Sequence, residues 1–292
     1  MQTRRVIAAA GCAVAMAVAG CSPGDDGPAP SAAPVGARYA HLGDSYAAGS
    51  GIDPIIPDSP AMCLRSQLNF GQLLAKARGY TGADFADSSC GAATTANVTA
   101  TDQYFGVPPQ VEVLGPRTEL VTLMIGGNDD RLFLDVVSDC GSVAGSDPTG
   151  DPCRRGHRGE FDERIDDVVA PAVDDAVATV RERAPNAKLL VVGYPRLLPA
   201  DHGCYPQVGV ASGDVAYVNE LLQRVNRALR AAAEAHDAVY VDTWSASVGR
   251  DACESPERRW IEPTQGSRIR TTAHPNAAGQ RGILAAVEAA LR

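Results

Sequence analysis

The sequence predicts an α/β fold built on a parallel sheet, and three observations lead to it. Short apolar runs alternate with longer segments that carry apolar residues at helical spacing. The run at residues 120–125 is almost wholly apolar, which is typical of a parallel strand buried on both faces. About 255 residues remain after an N-terminal leader and a tether, enough for one domain of this class. Strands that alternate with helices form parallel sheets covered by helices on both faces.

The expected elements follow one another in a strand-then-helix order. Strands are predicted at residues 35–42, 83–86, 120–125, 188–192 and 238–241. Helices are predicted over 69–78, over 161–183 with a break near Pro171, over 214–235, and from an Asn276 cap to Leu291. Residues 139–159 are rich in glycine and charge and are expected to form an irregular excursion closed by its own cysteines.

The N-terminus is expected to be an export signal of the lipoprotein type, residues 1–20. Arg4 and Arg5 precede about 14 apolar residues, a stretch too short to span a bilayer comfortably. The Val-Ala-Gly-Cys sequence that ends at Cys21 resembles a bacterial lipobox, which would leave Cys21 as a lipid-bearing first residue at the outer face of the membrane. An ordinary secretory signal is the alternative. Residues 21–36 are rich in proline and glycine and predict a flexible tether, and 37–292 are expected to form the folded domain.

Charge and cysteine usage narrow the possible partners. The net charge of −9 argues against nucleic acid or an anionic membrane surface as an electrostatic partner. Six cysteines remain once Cys12 and the expected lipidated Cys21 are set aside, an even number that in an exported domain predicts three disulfides, although 15 connectivities exist for six cysteines. None lies in a CxxC pair, so we expect no zinc site and no cofactor. We expect pairing in sequence order, because each disulfide then staples a loop region between neighbouring elements: Cys63–Cys90, Cys140–Cys153 and Cys204–Cys253.

Polar clusters follow the first three predicted strands. They are Gly-Asp-Ser at Ser45, Ser-Cys-Gly at Gly91 and Gly-Gly-Asn-Asp at Asn128. Chemistry in parallel sheets is placed at the carboxyl ends of the strands, so we expect all three clusters on one rim. Each cluster alone suits a turn or a helix cap. Together with His274-Pro275 near the C-terminus, their order predicts a catalytic site.

This pattern resembles the SGNH (GDSL-type) hydrolase family. Its four name-giving residues match Ser45 in Gly-Asp-Ser-Tyr-Ala-Ala-Gly, Gly91 in Ser-Cys-Gly-Ala, Asn128 in Gly-Gly-Asn-Asp and His274 in His-Pro-Asn-Ala-Ala-Gly. The match runs from residue 38 to the C-terminus, and the six cysteines resemble those of secreted bacterial lipases and esterases of the family. The resemblance implies a flavodoxin-like three-layer α/β/α sandwich with a five-stranded parallel sheet.

The resemblance also implies an exported esterase or lipase that forms an acyl-enzyme on Ser45. A serine hydroxyl needs a neutral imidazole to take its proton, and His274 fits that role. The family assigns the oxyanion hole to the backbone N–H groups of Ser45 and Gly91 and to the amide of Asn128. We expect a monomer acting on a small-molecule or lipid ester, with activity rising towards neutral or alkaline pH as His274 loses its proton. The alternatives are an envelope glycan O-deacetylase or acyltransferase, or a non-catalytic lipid-anchored binding protein.

Two positions depart from the family pattern. Tyr46 stands where the GDSL name has Leu, and we give it no role from the sequence. The acid of the usual triad lies three residues before the histidine, and Thr271 occupies that position here. We therefore predict a Ser45–His274 dyad in which a backbone carbonyl near Thr271 accepts the Nδ1 proton. Glu262 is the alternative acid for that role.

Overall fold

The computed structural model describes residues 36–104 and 106–292. The expected signal, Cys21 and residues 21–35 of the expected tether lie outside the described residues. Five parallel strands form one sheet in the order β2-β1-β3-β4-β5. The strands are β1 (Tyr39–Gly43), β2 (Phe85–Asp87), β3 (Leu120–Met124), β4 (Lys188–Val192) and β5 (Val239–Val241). This order is that of the flavodoxin-like sandwich, so the predicted fold class is confirmed.

Helices cover the sheet and connect its strands. One group contains α2 and α10, which pack against each other, and a second contains α3, α7 and α8. Among the described residues, no helix has both the length and the hydropathy that a membrane span requires. The helices are α1 (Ser45–Ala48), α2 (Phe70–Arg78), α3 (Thr95–Thr99), α4 (Leu132–Ala144), α5 (Pro152–His157), α6 (Glu160–Arg164), α7 (Ala170–Arg183), α8 (Val215–Ala235), α9 (Thr243–Ala246) and α10 (Ala277–Ala290). A π-helical turn, Ile165–Val169, joins α6 to α7 just before Pro171.

The strand order creates a crevice between β1 and β3. The chain passes from β1 to β2 on one side and then returns to β3 on the other, so the two connections leave the sheet in opposite directions. Both central strands are buried along their whole length, and Gly43 at the end of β1 pairs with Met124 at the end of β3. The polar clusters that follow these strands therefore meet at this crevice.

The region 139–159 is more regular than the sequence suggested. Instead of an irregular excursion, it contains the end of α4 and all of α5. The reason is the apolar spacing: Leu132, Val136, Cys140 and Ala144 recur every four residues and bury one face of α4, which overrides the unfavourable propensity of Gly141.

Three disulfides are present in the described residues. They are Cys63–Cys90, Cys140–Cys153 and Cys204–Cys253, a pairing in sequence order. The second joins α4 to α5. The first links Cys63, just before Leu64, to Cys90 in the segment that leads into Gly91.

Candidate active site

Ser45 is the first residue of α1, directly beyond β1. The side chain of Asp44 caps this helix by accepting a hydrogen bond of 2.9 Å from the backbone N–H of Tyr46. Gly43 has φ +141° and lies so close to the Met124 carbonyl that a Cβ would overlap it. The turn therefore needs glycine before Asp44 and delivers the Ser45 side chain to the carboxyl edge of the sheet.

Asp44 is buried and does not contact the imidazole of His274. Its carboxylate accepts a 2.5 Å hydrogen bond from the hydroxyl of Tyr194, which in turn accepts the N–H of Gly127. Burial raises the pKa of Asp44 to about 7, against the opposing effect of the hydrogen bonds from Tyr194 and Tyr46. Asp44 therefore supports the turn that carries Ser45 and links it to β3 and β4.

Ser45 and His274 are in hydrogen-bond contact. The distance from Ser45 Oγ to His274 Nε2 is 2.7 Å, and His274 Nδ1 lies 2.7 Å from the carbonyl oxygen of Thr272. A carbonyl can only accept, so Nδ1 carries the proton and Nε2 is left to accept the hydroxyl proton of Ser45. Burial lowers the pKa of His274 well below its ordinary value, against the opposing effect of the bond to Thr272. A neutral imidazole at neutral pH is the form that a general base requires.

Glu262 does not contact the imidazole. Its buried carboxylate accepts hydrogen bonds from Arg259 (2.6 Å), the backbone N–H of Arg268 (2.8 Å) and the amide of Asn276 (2.9 Å). It thus joins the two ends of the loop that carries His274. The alternative of Glu262 as the partner of Nδ1 is wrong for this geometry, because the Thr272 carbonyl occupies that position.

Tyr46, which was assigned no role from its motif, makes direct contact with the histidine loop. Its hydroxyl donates a 2.5 Å hydrogen bond to the carbonyl of Ala273, and its ring centroid lies 4.8 Å from that of His274. Ala273 has φ +57°, a left-handed conformation that is unfavourable for alanine and must be held by its surroundings. The only signal in the sequence was that a large polar aromatic replaced the usual leucine.

The three expected oxyanion donors differ in their availability. The amide of Asn128 donates one hydrogen to the Ala93 carbonyl (3.0 Å) and keeps its second N–H. Among the described residues, the backbone N–H of Ser45 has no acceptor. The N–H of Gly91, by contrast, donates to the carbonyl of Cys63 at 2.9 Å. The expectation of a free Gly91 donor therefore needs correction: the Cys63–Cys90 disulfide holds the Cys63 carbonyl against this N–H.

A cavity of about 510 Å³ opens beside these residues. Ser45, Gly91, Asn128 and His274 all line it, so the structure brings the four predicted residues to one place. Its volume lies within the range of about 300–1,000 Å³ that is usual for small-molecule sites. The remaining walls are largely aliphatic and aromatic, and most come from α4 and α8: Leu132, Phe133, Leu134, Val136, Val137, Val218, Leu221 and Leu222. The arrangement joins a nucleophile–base pair to an apolar binding cavity.

Comparison with known proteins shows the family of the chain. Residues 41–281 match the model of the GDSL-like lipase/acylhydrolase family. The chain belongs to this family. It is 42% identical over 281 residues to Lipase 2 of Streptomyces coelicolor, a match that covers 95% of this chain and 94% of the relative. The resemblance to the SGNH family and the prediction of a serine ester hydrolase are thereby confirmed.

Two solved structures share the fold. Phospholipase A1 of Streptomyces albidoflavus NA297 has a TM-score of 0.73 and 27% identity, and the match covers 86% of this chain and 98% of that protein. The extracellular lipase of Streptomyces rimosus has a TM-score of 0.72 and 25% identity, with 87% and 99% covered. Both similarities extend over nearly the whole described domain.

Proposed function

We propose that this protein is an exported carboxylic ester hydrolase that acts through a covalent acyl-enzyme on Ser45. The observation that carries the proposal is the 2.7 Å contact between Ser45 Oγ and His274 Nε2 at the wall of an apolar cavity. Nucleophile and base at this distance are the arrangement that acyl transfer requires. Membership of the GDSL-like lipase/acylhydrolase family supports it.

The proposed reaction proceeds in two halves. Ser45 Oγ attacks the ester carbonyl carbon while its proton passes to Nε2 of His274. The tetrahedral intermediate then collapses, the bond to the alcohol oxygen breaks, and the alcohol leaves with the proton from Nε2. Water attacks the acyl-enzyme in the same way, giving its proton to Nε2, and the carboxylic acid is released as Oγ recovers the proton. Throughout, the Thr272 carbonyl holds the imidazole and stabilises its charged form, in place of the acid of a triad.

The oxyanion of each tetrahedral intermediate is assigned to two donors, the N–H of Ser45 and the free amide hydrogen of Asn128. Each preorganised donor of this kind contributes about 3 kcal/mol to transition-state stabilisation. Gly91 N–H joins them only as one branch of a bifurcated hydrogen bond, since its other branch is held by Cys63. The small size of Gly91 still allows the substrate to approach the backbone closely.

The substrates we propose are esters with an apolar acyl chain. The cavity walls from α4 and α8 offer aliphatic surface and few polar groups, which favours a hydrocarbon chain. Relatives and structural neighbours named lipase and phospholipase A1 support this class. A glycan O-deacetylase or acyltransferase would need polar groups that recognise sugar hydroxyls, and the apolar lining gives that alternative less support.

Export, anchoring and a monomeric state belong to the same proposal. Three disulfides suit an oxidising compartment outside the cytosol. We propose that residues 1–20 are the signal and that Cys21 is lipidated. Residues 21–36 then form a tether to the domain at 37–292. The lipid on Cys21 would hold the enzyme at the outer face of the cell membrane. Mass spectrometry of the exported protein tests this, because lipidation adds a diacylglyceryl mass at Cys21 and simple secretion does not.

The nucleophile is tested by comparing the purified wild type with Ser45→Ala on nitrophenyl esters from acetate to palmitate. We expect the variant to lose at least about 10⁴-fold in kcat, as in other serine hydrolases that lose the nucleophile. Ser142→Ala, a change at an exposed serine on α4, is the matched control and should retain full activity. Full activity of Ser45→Ala would refute the proposal, as would failure of the folded wild type to cleave any ester in the series.

A further inference from the structure

One buried side chain, Tyr194, contacts both the segment of the nucleophile and the segment of the oxyanion amide. It follows β4 and is fully buried. Its hydroxyl donates a 2.5 Å hydrogen bond to the carboxylate of Asp44 and accepts the backbone N–H of Gly127 at 3.0 Å. Asp44 directly precedes Ser45 in the chain, and the other partner directly precedes Asn128. The phenol thus lies one residue away from each of the two proposed oxyanion donors.

The turn that carries the nucleophile has several anchors besides the phenol. The backbone N–H of Asp44 donates to the carbonyl of Met124 at 3.0 Å. The side chain of Gln110 accepts the N–H of Gly43 at 2.7 Å and donates to its carbonyl at 2.9 Å. The carboxylate of Asp44 also caps α1. These bonds should hold the turn in place when the phenol hydroxyl is removed.

The loop that carries Asn128 is held from two sides. On one side, its amide donates to the carbonyl of Ala93 at 3.0 Å. On the same side, the carboxylate of Asp129 accepts hydrogen bonds from the N–H and the hydroxyl of Thr95. On the side of the nucleophile, the N–H of Gly127 donates to the phenol. The phenol hydroxyl therefore fixes this loop relative to the nucleophile turn.

Tyr194 is itself held firmly by its neighbours. Asn226 on α8 accepts the backbone N–H of Tyr194 at 2.7 Å and donates to its carbonyl at 2.9 Å. The ring packs edge-to-face on Tyr46 and Phe133, with centroid distances of 5.3 and 5.1 Å. The hydroxyl is thus a fixed point between the two segments. Such fixed placement is what allows oxyanion donors to act without reorganising during the reaction.

We propose that Tyr194 is a positioning residue that sets the spacing between the two oxyanion donors, the N–H of Ser45 and the amide of Asn128. The inference rests on the proposed function and deepens it, because oxyanion stabilisation is a step of that reaction. Tyr194 does not line the cavity, so it acts through its two hydrogen-bond partners. The developing oxyanion meets both donors only if their separation is correct, and a displacement of about 1 Å costs about 100-fold in rate.

The test variant is Tyr194→Phe, which keeps the ring and removes only the hydroxyl. Two quantities are measured: kcat/KM on a nitrophenyl ester, and the inhibition constant of an alkylboronic acid. The boron atom bonds to Oγ of Ser45 while the serine proton passes to Nε2 of His274, and the resulting tetrahedral anion resembles the reaction intermediate. The inhibition constant does not depend on how much of the protein is folded. A variant that is merely less stable would therefore keep the wild-type value.

We expect kcat/KM of Tyr194→Phe to fall about 10- to 100-fold, and the inhibition constant to rise by the same factor. Tyr39→Phe is the matched control. Tyr39 is also fully buried, its hydroxyl is hydrogen-bonded to Thr122 at 3.0 Å, and it begins β1 at the opposite end from Ser45. The control should keep both wild-type values. Wild-type values in Tyr194→Phe, or equal changes in the control, would overturn the proposal.

A double-mutant comparison shows whether the phenol acts through the amide. Asn128→Ala removes that donor and should by itself cost about 10²- to 10³-fold in kcat. Once the donor is absent, its spacing no longer matters. Adding Tyr194→Phe should then cost less than about threefold more. A second full loss would overturn the proposal, because the two side chains would then act independently.

Asp44→Asn serves as a second variant if Tyr194→Phe does not fold. Asparagine keeps an oxygen for the N–H of Tyr46, but a neutral amide binds the phenol more weakly than a carboxylate does. We expect kcat/KM to fall and the inhibition constant to rise together, and both changes to disappear in the Asn128→Ala background. Changes that persist there in full would overturn the proposal, since Asp44 would then act on Ser45 alone.

Failure of this inference is distinguishable from failure of the proposed function. Ester hydrolysis that depends on Ser45 but is unaffected by Tyr194→Phe would leave the proposed function in place and remove the positioning role. A folded wild type that neither cleaves an ester nor binds the boronic acid would overturn both.

Discussion

Tyr46→Phe should slow catalysis without unfolding the protein. The change removes only the hydroxyl that donates 2.5 Å to the Ala273 carbonyl, and it keeps the ring beside the imidazole. Losing one hydrogen bond to a partly buried carbonyl costs about 1–2 kcal/mol. That bond holds a left-handed residue directly before His274, so we expect the cost to appear in the placement of the imidazole. Each 1.36 kcal/mol is a factor of ten in rate, which gives a fall of about 5- to 30-fold in kcat.

The assay is steady-state hydrolysis of a nitrophenyl ester, with KM, kcat and the melting temperature measured for each variant. A positioning residue should lower kcat with little change in KM, and its variant should keep the wild-type melting temperature to within a few degrees. Tyr205→Phe is the control, because Tyr205 is exposed and does not line the cavity. Unchanged kcat in Tyr46→Phe would refute the reasoning, and so would an equal loss in Tyr205→Phe.

Two further predictions concern the histidine and its loop. Burial lowers the pKa of His274, and the neutral imidazole is the active form. We therefore expect kcat/KM to stay high as pH falls through 6.5 and to decline only at lower pH. A pH profile with half-maximal activity above pH 7 would contradict this. Glu262→Ala should leave Arg259 charged and buried without its partner, costing about 3–5 kcal/mol of unfolding free energy in denaturant titration. A variant with wild-type stability but a hundredfold loss of activity would contradict this prediction and would indicate that Glu262 acts directly on His274.

Much of the fold was predictable because it depends on local patterns. The strand at 188–192 is observed as predicted, and the helix expected at 69–78 differs by one residue at its start. The region 139–159 was less predictable, because Gly141 and Ser142 favour loops locally. There the burial of α4 against the core, a tertiary effect, decided in favour of a helix.

In the candidate site, too, some features were predictable from the sequence and others were not. Ser45, Gly91, Asn128 and His274 could be named from the sequence, because each sits in a short motif at the end of a strand or the start of a helix. The partner of His274 was expected near Thr271 and is found at the Thr272 carbonyl, one residue further on. The position of a carbonyl within a loop depends on backbone dihedral angles that propensities do not encode.

The sequence by itself determined the residue types, their order and the number of cysteines, and with them the parallel sheet and the nucleophile–base pair that we propose. Only the tertiary structure decided that Tyr46 supports the histidine loop, that Cys63 occupies the N–H of Gly91, and that α4 closes the cavity. The physical reason is distance along the chain: Tyr46 and Ala273 are 227 residues apart. A contact of that kind exists only after both segments have packed against the same edge of the sheet.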